Sequence, residues 1–266
     1  MTIPLQARGV TLGYDTTVVA ENLSVDIPDG RFTVIIGPNA CGKSTLLSAL
    51  SRLTRPRAGQ VLLDGADIHA LDTRTVARRL GLLPQGSVAP HGISVLDLIS
   101  RGRFAHQGLL RRWSEDDREA TRYAMEATGV THLAQRNVDE LSGGQRQRVW
   151  LAMVLAQQTP LVLLDEPTTY LDLSHQLDTL RLCRSLVQNE GKTLVAVLHD
   201  LNQAARYADH VIALNEGRVI ATGSPEEVVT SEIVRSVFNV DALVIPDPVT
   251  GRPLIVPTEK ELPARG

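Results

Sequence analysis

Apolar residues in this chain form short continuous blocks that alternate with stretches of helical spacing. The blocks at Phe32–Ile36, 161–164 and 193–198 predict strands that are buried on both faces, as in a parallel sheet. The stretches at 174–188 and 200–207 have helical spacing and separate these blocks. This βαβ rhythm predicts an α/β fold with an open parallel sheet.

The N-terminal region has a different pattern, because short β-rich runs alternate there with turn residues. Residues 10–14 and 23–27 are such runs, and we expect them to form a β-rich edge joined to the core of the domain. Further along, 61–63 is followed by the turn pair Asp64-Gly65, and 80–83 is another short apolar run.

Between residues 86 and 140 the strand pattern gives way to a helical one. Residues 94–99 open one helix, and Ser114 caps a second, whose first turn is acidic and whose end is marked by Gly129. We therefore predict a helical subdomain at about 86–155, inserted into the sheet domain.

The C-terminal part of the chain predicts a hairpin, a helix and a second hairpin. The first hairpin spans 211–220, and Ser224 starts a terminal helix. The runs 242–245 and 253–256 flank a turn and form the second hairpin. We expect one domain over 3–240, followed by a short hairpin and a frayed tail over 241–266.

Composition narrows the classes of protein to which the chain can belong. The 266 residues carry a net charge of −3 and a pI near 6.2, which argues against nucleic acid as a main partner. The first residues lack a basic region followed by an apolar one, and no apolar run approaches membrane-spanning length, so we expect a cytoplasmic protein. Cys41 and Cys183 lack metal-ligand spacing and are expected to be free thiols. The pair Arg111-Arg112 beside Trp113 is either a partner-binding surface or a solvated stretch before a helix.

A glycine-rich segment directly after the first buried strand carries the strongest chemical signal. It fits the pattern G-x-x-x-x-G-K-[ST] and leads into a helical stretch, which is the context of a phosphate-binding loop. Lys43 would neutralise the β- and γ-phosphates, and the Ser44 hydroxyl would bind Mg²⁺. We therefore expect ATP to bind the residues Gly37, Pro38, Asn39, Ala40, Cys41, Gly42, Lys43, Ser44 and Thr45.

Cys41 lies inside this loop, near Lys43 and a helix start. These conditions favour a thiolate, and alkylation of the thiolate would block nucleotide binding. Alternatively, Cys41 is a small filler of ordinary reactivity.

Two carboxylates end the buried strand at 161–164. Asp165 would hold Mg²⁺, and Glu166 would polarise a water for attack on the γ-phosphate. The alternative for Glu166 is a helix-capping acid before Pro167. Both acids fall at the sheet edge where doubly wound folds bind ligands.

A second small-residue turn, Leu141-Ser142-Gly143-Gly144-Gln145, leads into a helix at 145–157 and duplicates the anion-binding character of the first loop. This turn is similar to the signature of ATP-binding cassette (ABC) ATPases, and the resemblance covers nearly the whole chain. It implies that Ser142, Gly143, Gly144 and Gln145 bind the nucleotide held by a second copy of the chain. Two ATP molecules would then be sandwiched in a homodimer.

The same resemblance implies functions for single residues elsewhere. Tyr14 resembles the aromatic residue that stacks on adenine. Gln85 resembles the glutamine that reaches Mg²⁺ and the attacking water. His199 resembles the histidine that contacts the γ-phosphate. Leu171-Asp172 resembles the end of the D-loop, although Thr169-Tyr170 stands where Ser-Ala is the commoner form.

A finer similarity concerns the cargo. The phosphate loop, residues 198–204 and residues 244–251 resemble ferric-siderophore importers. This implies an ATPase subunit at the cytoplasmic face of the membrane, working with two integral-membrane permease subunits and a separate substrate-binding protein. The alternatives are import of haem, cobalamin or zinc/manganese, an exporter ATPase, and a non-transport ABC ATPase.

The surface expected to meet a membrane subunit lies beside Gln85 and along residues 86–103. This segment carries more apolar side chains than one buried helical stripe requires, so part of its apolar surface is expected to be covered by the partner. These side chains are Ile93, Val95, Leu96, Leu98 and Ile99.

Overall fold

The computed structural model describes residues 3–107 and 113–258. Within them the strands are β1 (Leu5–Tyr14), β2 (Thr17–Ile27), β3 (Phe32–Ile36), β4 (Ala58–Leu63), β5 (Ala66–Asp67), β6 (Leu80–Leu83), β7 (Leu161–Asp165), β8 (Thr193–Val197), β9 (His210–Asn215), β10 (Arg218–Gly223), β11 (Ala242–Pro246) and β12 (Pro253–Pro257). The helices are α1 (Lys43–Leu50), α2 (Thr73–Arg79), α3 (Val95–Ser100), α4 (Glu115–Ala127), α5 (Gly143–Ala156), α6 (Leu173–Glu190), α7 (Leu201–Tyr207), α8 (Pro225–Val228) and α9 (Ser231–Phe238). Short 3-10 turns occupy Arg101–Ala105, Thr131–Leu133 and Val138–Glu140.

The central sheet has six strands in the order β10-β9-β3-β8-β7-β6. The pair β9 and β10, at one edge, is antiparallel, and the other neighbouring strands pair in parallel. The predicted parallel sheet and the predicted hairpin at 211–220 are therefore both confirmed. All five residues of β3 are buried, because each face of the sheet is covered.

The two faces of this sheet pack into different hydrophobic clusters. On β3, Phe32 and Val34 join the cluster that includes the helical region, whereas Ile35 joins the cluster beneath the N-terminal strands. Those strands form a separate sheet in the order β2-β1-β4-β5, as the β-rich N-terminal pattern predicted. Asp64 and Gly65 turn the chain between β4 and β5, and both have positive φ.

The helical region between β6 and β7 is built as the sequence predicts. Ser114 and Asp117 form a capping box at the start of α4, and Gly129, with φ of 66°, follows its end. A buried ion pair joins Arg103 Nε to Asp117 Oδ1 at 2.8 Å, and both side chains are about 5% exposed. The Arg103 guanidinium also donates to the Ala156 carbonyl at 2.9 Å, so this pair ties α4 to the end of α5.

The prediction that apolar side chains of residues 93–99 await a partner is wrong. Ile93, Val95, Leu98 and Ile99 are all buried within the chain, and Leu96 packs against the same cluster. The reason is that α3 packs on both α4 and α5, so it has two buried sides instead of one. The large exposed apolar and aromatic side chains described in the helical region are instead Val88, Phe104, Trp113 and Tyr123.

The C-terminal part departs from prediction in one respect. The expected terminal helix is two short helices, because Thr230 interrupts it and its hydroxyl caps α9 by accepting from the Ile233 N–H at 3.2 Å. The second predicted hairpin is confirmed as β11 paired with β12. Arg111 and Arg112, and the expected tail after Thr258, lie outside the described residues. No helix within the described ranges combines the length and apolar character needed to cross a membrane.

Candidate functional site

The glycine-rich loop joins the end of β3 to the start of α1, and its shape requires glycine at two positions. A Cβ on Gly37 would lie 2.3 Å from the Leu214 carbonyl oxygen of the neighbouring strand. Gly42 caps α1 with φ of 103°, a conformation that residues with side chains rarely adopt. The loop therefore passes close to the sheet and ends at the N-terminus of α1. A loop in this position can bind an anion.

Lys43 folds back over this loop. Its ammonium donates to the carbonyl oxygens of Gly37 at 2.9 Å and Pro38 at 2.8 Å, and the residue is only 5% exposed. A buried cation at the mouth of an α-helix N-terminus is well placed to attract phosphate oxygens.

The predicted metal-binding residues meet directly. The Ser44 hydroxyl donates to Asp165 Oδ1 at 3.0 Å, which joins the start of α1 to the end of β7. Burial raises the pKa of Asp165, opposed by the Ser44 hydrogen bond. An oxygen pair of this kind fits a hard cation such as Mg²⁺, because the cation would compensate a buried carboxylate and prefers oxygen ligands.

Glu166 and His199 form the second contact of the site. His199 Nε2 lies 2.6 Å from Glu166 Oε1, and the Glu166 side chain is 12% exposed against 47% for His199. The Thr169 hydroxyl donates to the other carboxylate oxygen at 3.1 Å. Glu166 has a φ of 52° and precedes α6 by several residues, so it is not a helix cap. Asp172 caps that helix instead.

A cavity of about 590 Å³ brings most of the predicted site residues together. Tyr14 stands at its rim, 53% exposed, and its hydroxyl donates to the Thr45 hydroxyl oxygen at 3.3 Å. The cavity is lined by Tyr14, Val19, Asn39, Ala40, Gly42, Lys43, Ser44, Thr45, Gln85, Glu166 and His199. The cavity is therefore lined by an aromatic side chain, the Lys43 cation and the Glu166 carboxylate.

The signature residues lie apart from this cavity within the described chain. Ser142 Oγ accepts from the Gln145 N–H at 3.3 Å, and Gln145 Oε1 accepts from the Ser142 N–H at 3.1 Å, so the two side chains cap α5. Gly143 leaves room for Tyr170, because a Cβ added at Gly143 would lie only 3.3 Å from Tyr170 Cβ. One copy of the chain therefore does not unite the signature with the phosphate loop.

The predicted thiolate at Cys41 is wrong. Cys41 is 5% exposed, and its side chain belongs to the hydrophobic cluster beneath the N-terminal sheet. Burial raises the pKa of this thiol and outweighs the lowering effect of Lys43. Cys183 is also a buried free thiol, and burial raises its pKa to about 12.

Two residues that contact Glu166, Thr169 and Gln147, were not predicted from the sequence as site residues. In sequence Thr169 stands out only as a departure from a family pattern, although its hydroxyl contacts Glu166. Gln147 of α5 also donates to the Glu166 backbone oxygen at 3.4 Å. A polar residue three positions after a candidate base is the available signal for Thr169, whereas Gln147 carries no local signal.

The fold and this site define a P-loop ATPase, in which a strand, a glycine-rich loop and a helix hold the triphosphate. A family model described as ABC transporter matches residues 20–169. The ferric enterobactin transport ATP-binding protein FepC of Escherichia coli (strain K12) is 55% identical over 98% of this chain and 96% of its own length. The chain belongs to the ABC transporter family and is an ABC-type ATPase.

Solved structures agree with this assignment. A structure assigned to the metal-chelate type of ABC transporter, in an inward-facing conformation, matches with a TM-score of 0.81 and 29% identity over 97% of this chain and 98% of that one. The cassette MJ0796, a dimer with ADP and Pi bound in a post-hydrolysis state, matches with a TM-score of 0.75 and 28% identity over 83% of this chain and 98% of that one.

Proposed function

We propose that this chain binds and hydrolyses ATP to energise the uptake of ferric siderophores across the cytoplasmic membrane. The observation that carries the proposal is the 55% identity to a ferric enterobactin transport ATP-binding protein over nearly the full length of both chains. Proteins named for achromobactin and petrobactin transport are also 49% and 48% identical. By comparison, cobalamin import proteins are 39% identical, so siderophore cargo is favoured over cobalamin.

In the proposed mechanism the cavity binds one MgATP. Tyr14 stacks on the adenine, and Lys43 with the loop amides holds the phosphates. Glu166 accepts a proton from the attacking water, while His199, paired with it at 2.6 Å, fixes the orientation of the carboxylate. Ser44, Asp165 and Gln85 would hold Mg²⁺, which supplies charge neutralisation at the phosphates.

We infer a second copy of the chain as a partner, because the signature residues do not line the cavity of their own copy. Because the signature residues Ser142 to Gln145 lie apart from the cavity, we infer that they close over the nucleotide of a second copy. The dimeric form of the cassette MJ0796 supports this arrangement. Residues 3–240 would act as the cassette, with a helical subdomain at about 86–155, and 241–266 as an appended hairpin and tail.

Two integral-membrane permease subunits and a separate substrate-binding protein would complete the importer. The cassette would then sit at the cytoplasmic face of the membrane. Val88 and Phe104 of the helical region are 87% and 58% exposed, and we assign these two side chains to the contact with the permease.

Deletion of this chain tests the proposal. We expect growth to fail only when iron is scarce and chelated by a siderophore, and we expect a wild-type copy to restore it. Lys43→Ala should not restore growth, because its loss removes the cation that faces the phosphates. Normal growth of the deletion strain on siderophore iron, with no second ATPase substituting, would remove the cargo assignment.

A further inference from the structure

Asn202, in the first turn of α7, holds the edge of the C-terminal hairpin through both atoms of its amide. Its Nδ2 donates to the Ile255 carbonyl oxygen at 3.2 Å, and its Oδ1 accepts from the Ile255 N–H at 2.7 Å. A residue of an antiparallel neighbouring strand would make the same two bonds with the backbone of Ile255. Aspartate could not make it, because a carboxylate has no donor.

Other contacts also attach the hairpin, including an apolar cluster that joins it to α7 and α9. A two-stranded hairpin is marginally stable by itself. Ile255 is 6% exposed in a small cluster with Ala205 and Val234, and the ion pair between Arg252 and Glu226 at 3.2 Å includes a Glu226 side chain that is 54% exposed. The Asn202 bonds add a directed polar attachment between α7 and β12, whereas the exposed ion pair contributes little.

The same helix start is joined to the ATPase site. His199 directly precedes Asp200, the cap of α7, which accepts from the Gln203 N–H at 2.9 Å. Asn202 lies three residues beyond His199, and α7 has only seven residues. A shift of this short helix would therefore move His199 relative to Glu166, which now lies 2.6 Å away.

Gln203 ties the helix to the loop that carries Glu166. Its side chain, 8% exposed, donates to Gln176 Oε1 at 2.8 Å. Gln176 in turn donates to the Leu171 carbonyl at 3.0 Å, near the end of the loop that begins at Glu166. Neighbouring residues of α7 thus connect the hairpin on one side and the Glu166 loop on the other.

We propose that Asn202 is a positioning residue of the ATPase, which keeps His199 on Glu166 by fastening α7 to the C-terminal hairpin. The hairpin is then a support of the active site. This inference rests on the roles proposed above for Glu166 and His199.

The test compares Asn202→Asp with Asn189→Asp in the full-length chain. Asn189 is a matched control, since its amide is exposed and donates only to Ser185 at 2.9 Å among the described residues. We expect Asn202→Asp to lower kcat for ATP by roughly fivefold or more with KM within about twofold, because a displaced catalytic group costs turnover. Hydrogen exchange at residues 199–203 should rise in this variant and not in the control.

Two results would overturn the inference. In one, exchange rises in β12 while kcat and exchange at 199–203 stay at wild-type values, so Asn202 only anchors the hairpin. In the other, Asn202→Asp lowers kcat by the same factor in a His199→Ala background, so it does not act through His199. If His199→Ala itself hydrolyses ATP at the wild-type rate, the proposed role of His199 fails, whereas the exchange comparison still tests the coupling.

Discussion

Replacement of Arg103 should destabilise the helical region more than replacement of an exposed charged residue does. Its guanidinium makes three hydrogen bonds of 2.8 to 2.9 Å, to Asp117, the Ala156 carbonyl and Gln158 Oε1. Arg103→Leu leaves the Asp117 carboxylate buried, with the Ser114 N–H at 3.2 Å to compensate it. Breaking a buried pair in this way costs about 3–5 kcal/mol of unfolding free energy.

Urea unfolding at neutral pH measures this cost, and both tryptophans of the chain, Trp113 and Trp150, lie in the helical region. Arg118→Leu is the control, because its pair with Glu115 is 64% and 81% exposed and should contribute less than about 1 kcal/mol. If Arg103→Leu unfolds within about 1 kcal/mol of wild type, the account of this pair is wrong.

The pair also predicts a pH dependence. Burial opposes ionisation of Asp117, but the hydrogen bonds from Arg103 and Ser114 outweigh it and lower the pKa of the carboxyl. A carboxyl with a lowered folded-state pKa contributes stability above its unfolded-state pKa and loses it as the pH falls through the folded value. The stability gap between wild type and Asp117→Asn should therefore narrow in acid.

The other predictions concern the nucleotide cavity. Glu166→Gln should retain ATP binding but lose at least about 10²-fold in the rate of hydrolysis, as measured by turnover. It should also accumulate an ATP-bound dimer, which light scattering would detect. Hydrolysis within a few-fold of wild type contradicts Glu166 as the base. Cys41 should react slowly with alkylating reagents at pH 8, because burial raises the pKa of its thiol, and Cys41→Ala should bind ATP normally; labelling at the rate of a free thiol in the folded protein would refute this.

Local patterns predicted the central sheet because their causes are local. A buried parallel strand requires a continuous apolar run, and the glycine, lysine and serine spacing of the phosphate loop encodes its own geometry. The contact of Ser44 with Asp165 fits their predicted shared role as metal ligands, since Ser44 begins the helix after the β3 loop and Asp165 ends β7 of the same sheet.

Features that depend on side-chain direction could not be read in this way. The proximity of Cys41 to Lys43 in sequence suggests a thiolate, but the thiol is buried in the core, 2.7 Å from where a Cβ on Gly37 would lie. The excess of apolar side chains at 93–99 indicates a docking surface when the sequence alone is considered, because the sequence does not show that two helices cover α3. The bonds of Asn202 to Ile255 join residues 53 positions apart, and no local pattern signals them.

Uptake of radioactive iron tests the central claim most directly. Cells that lack this chain would be given iron as ferric enterobactin, as a ferric hydroxamate or as a free salt, after complementation with wild type, Lys43→Ala or Glu166→Gln. The account predicts that wild type alone restores rapid uptake of at least one siderophore complex, and that uptake of the free salt is the same in all strains. Equal siderophore uptake by wild type and by both variants would contradict the claim that this chain powers the import.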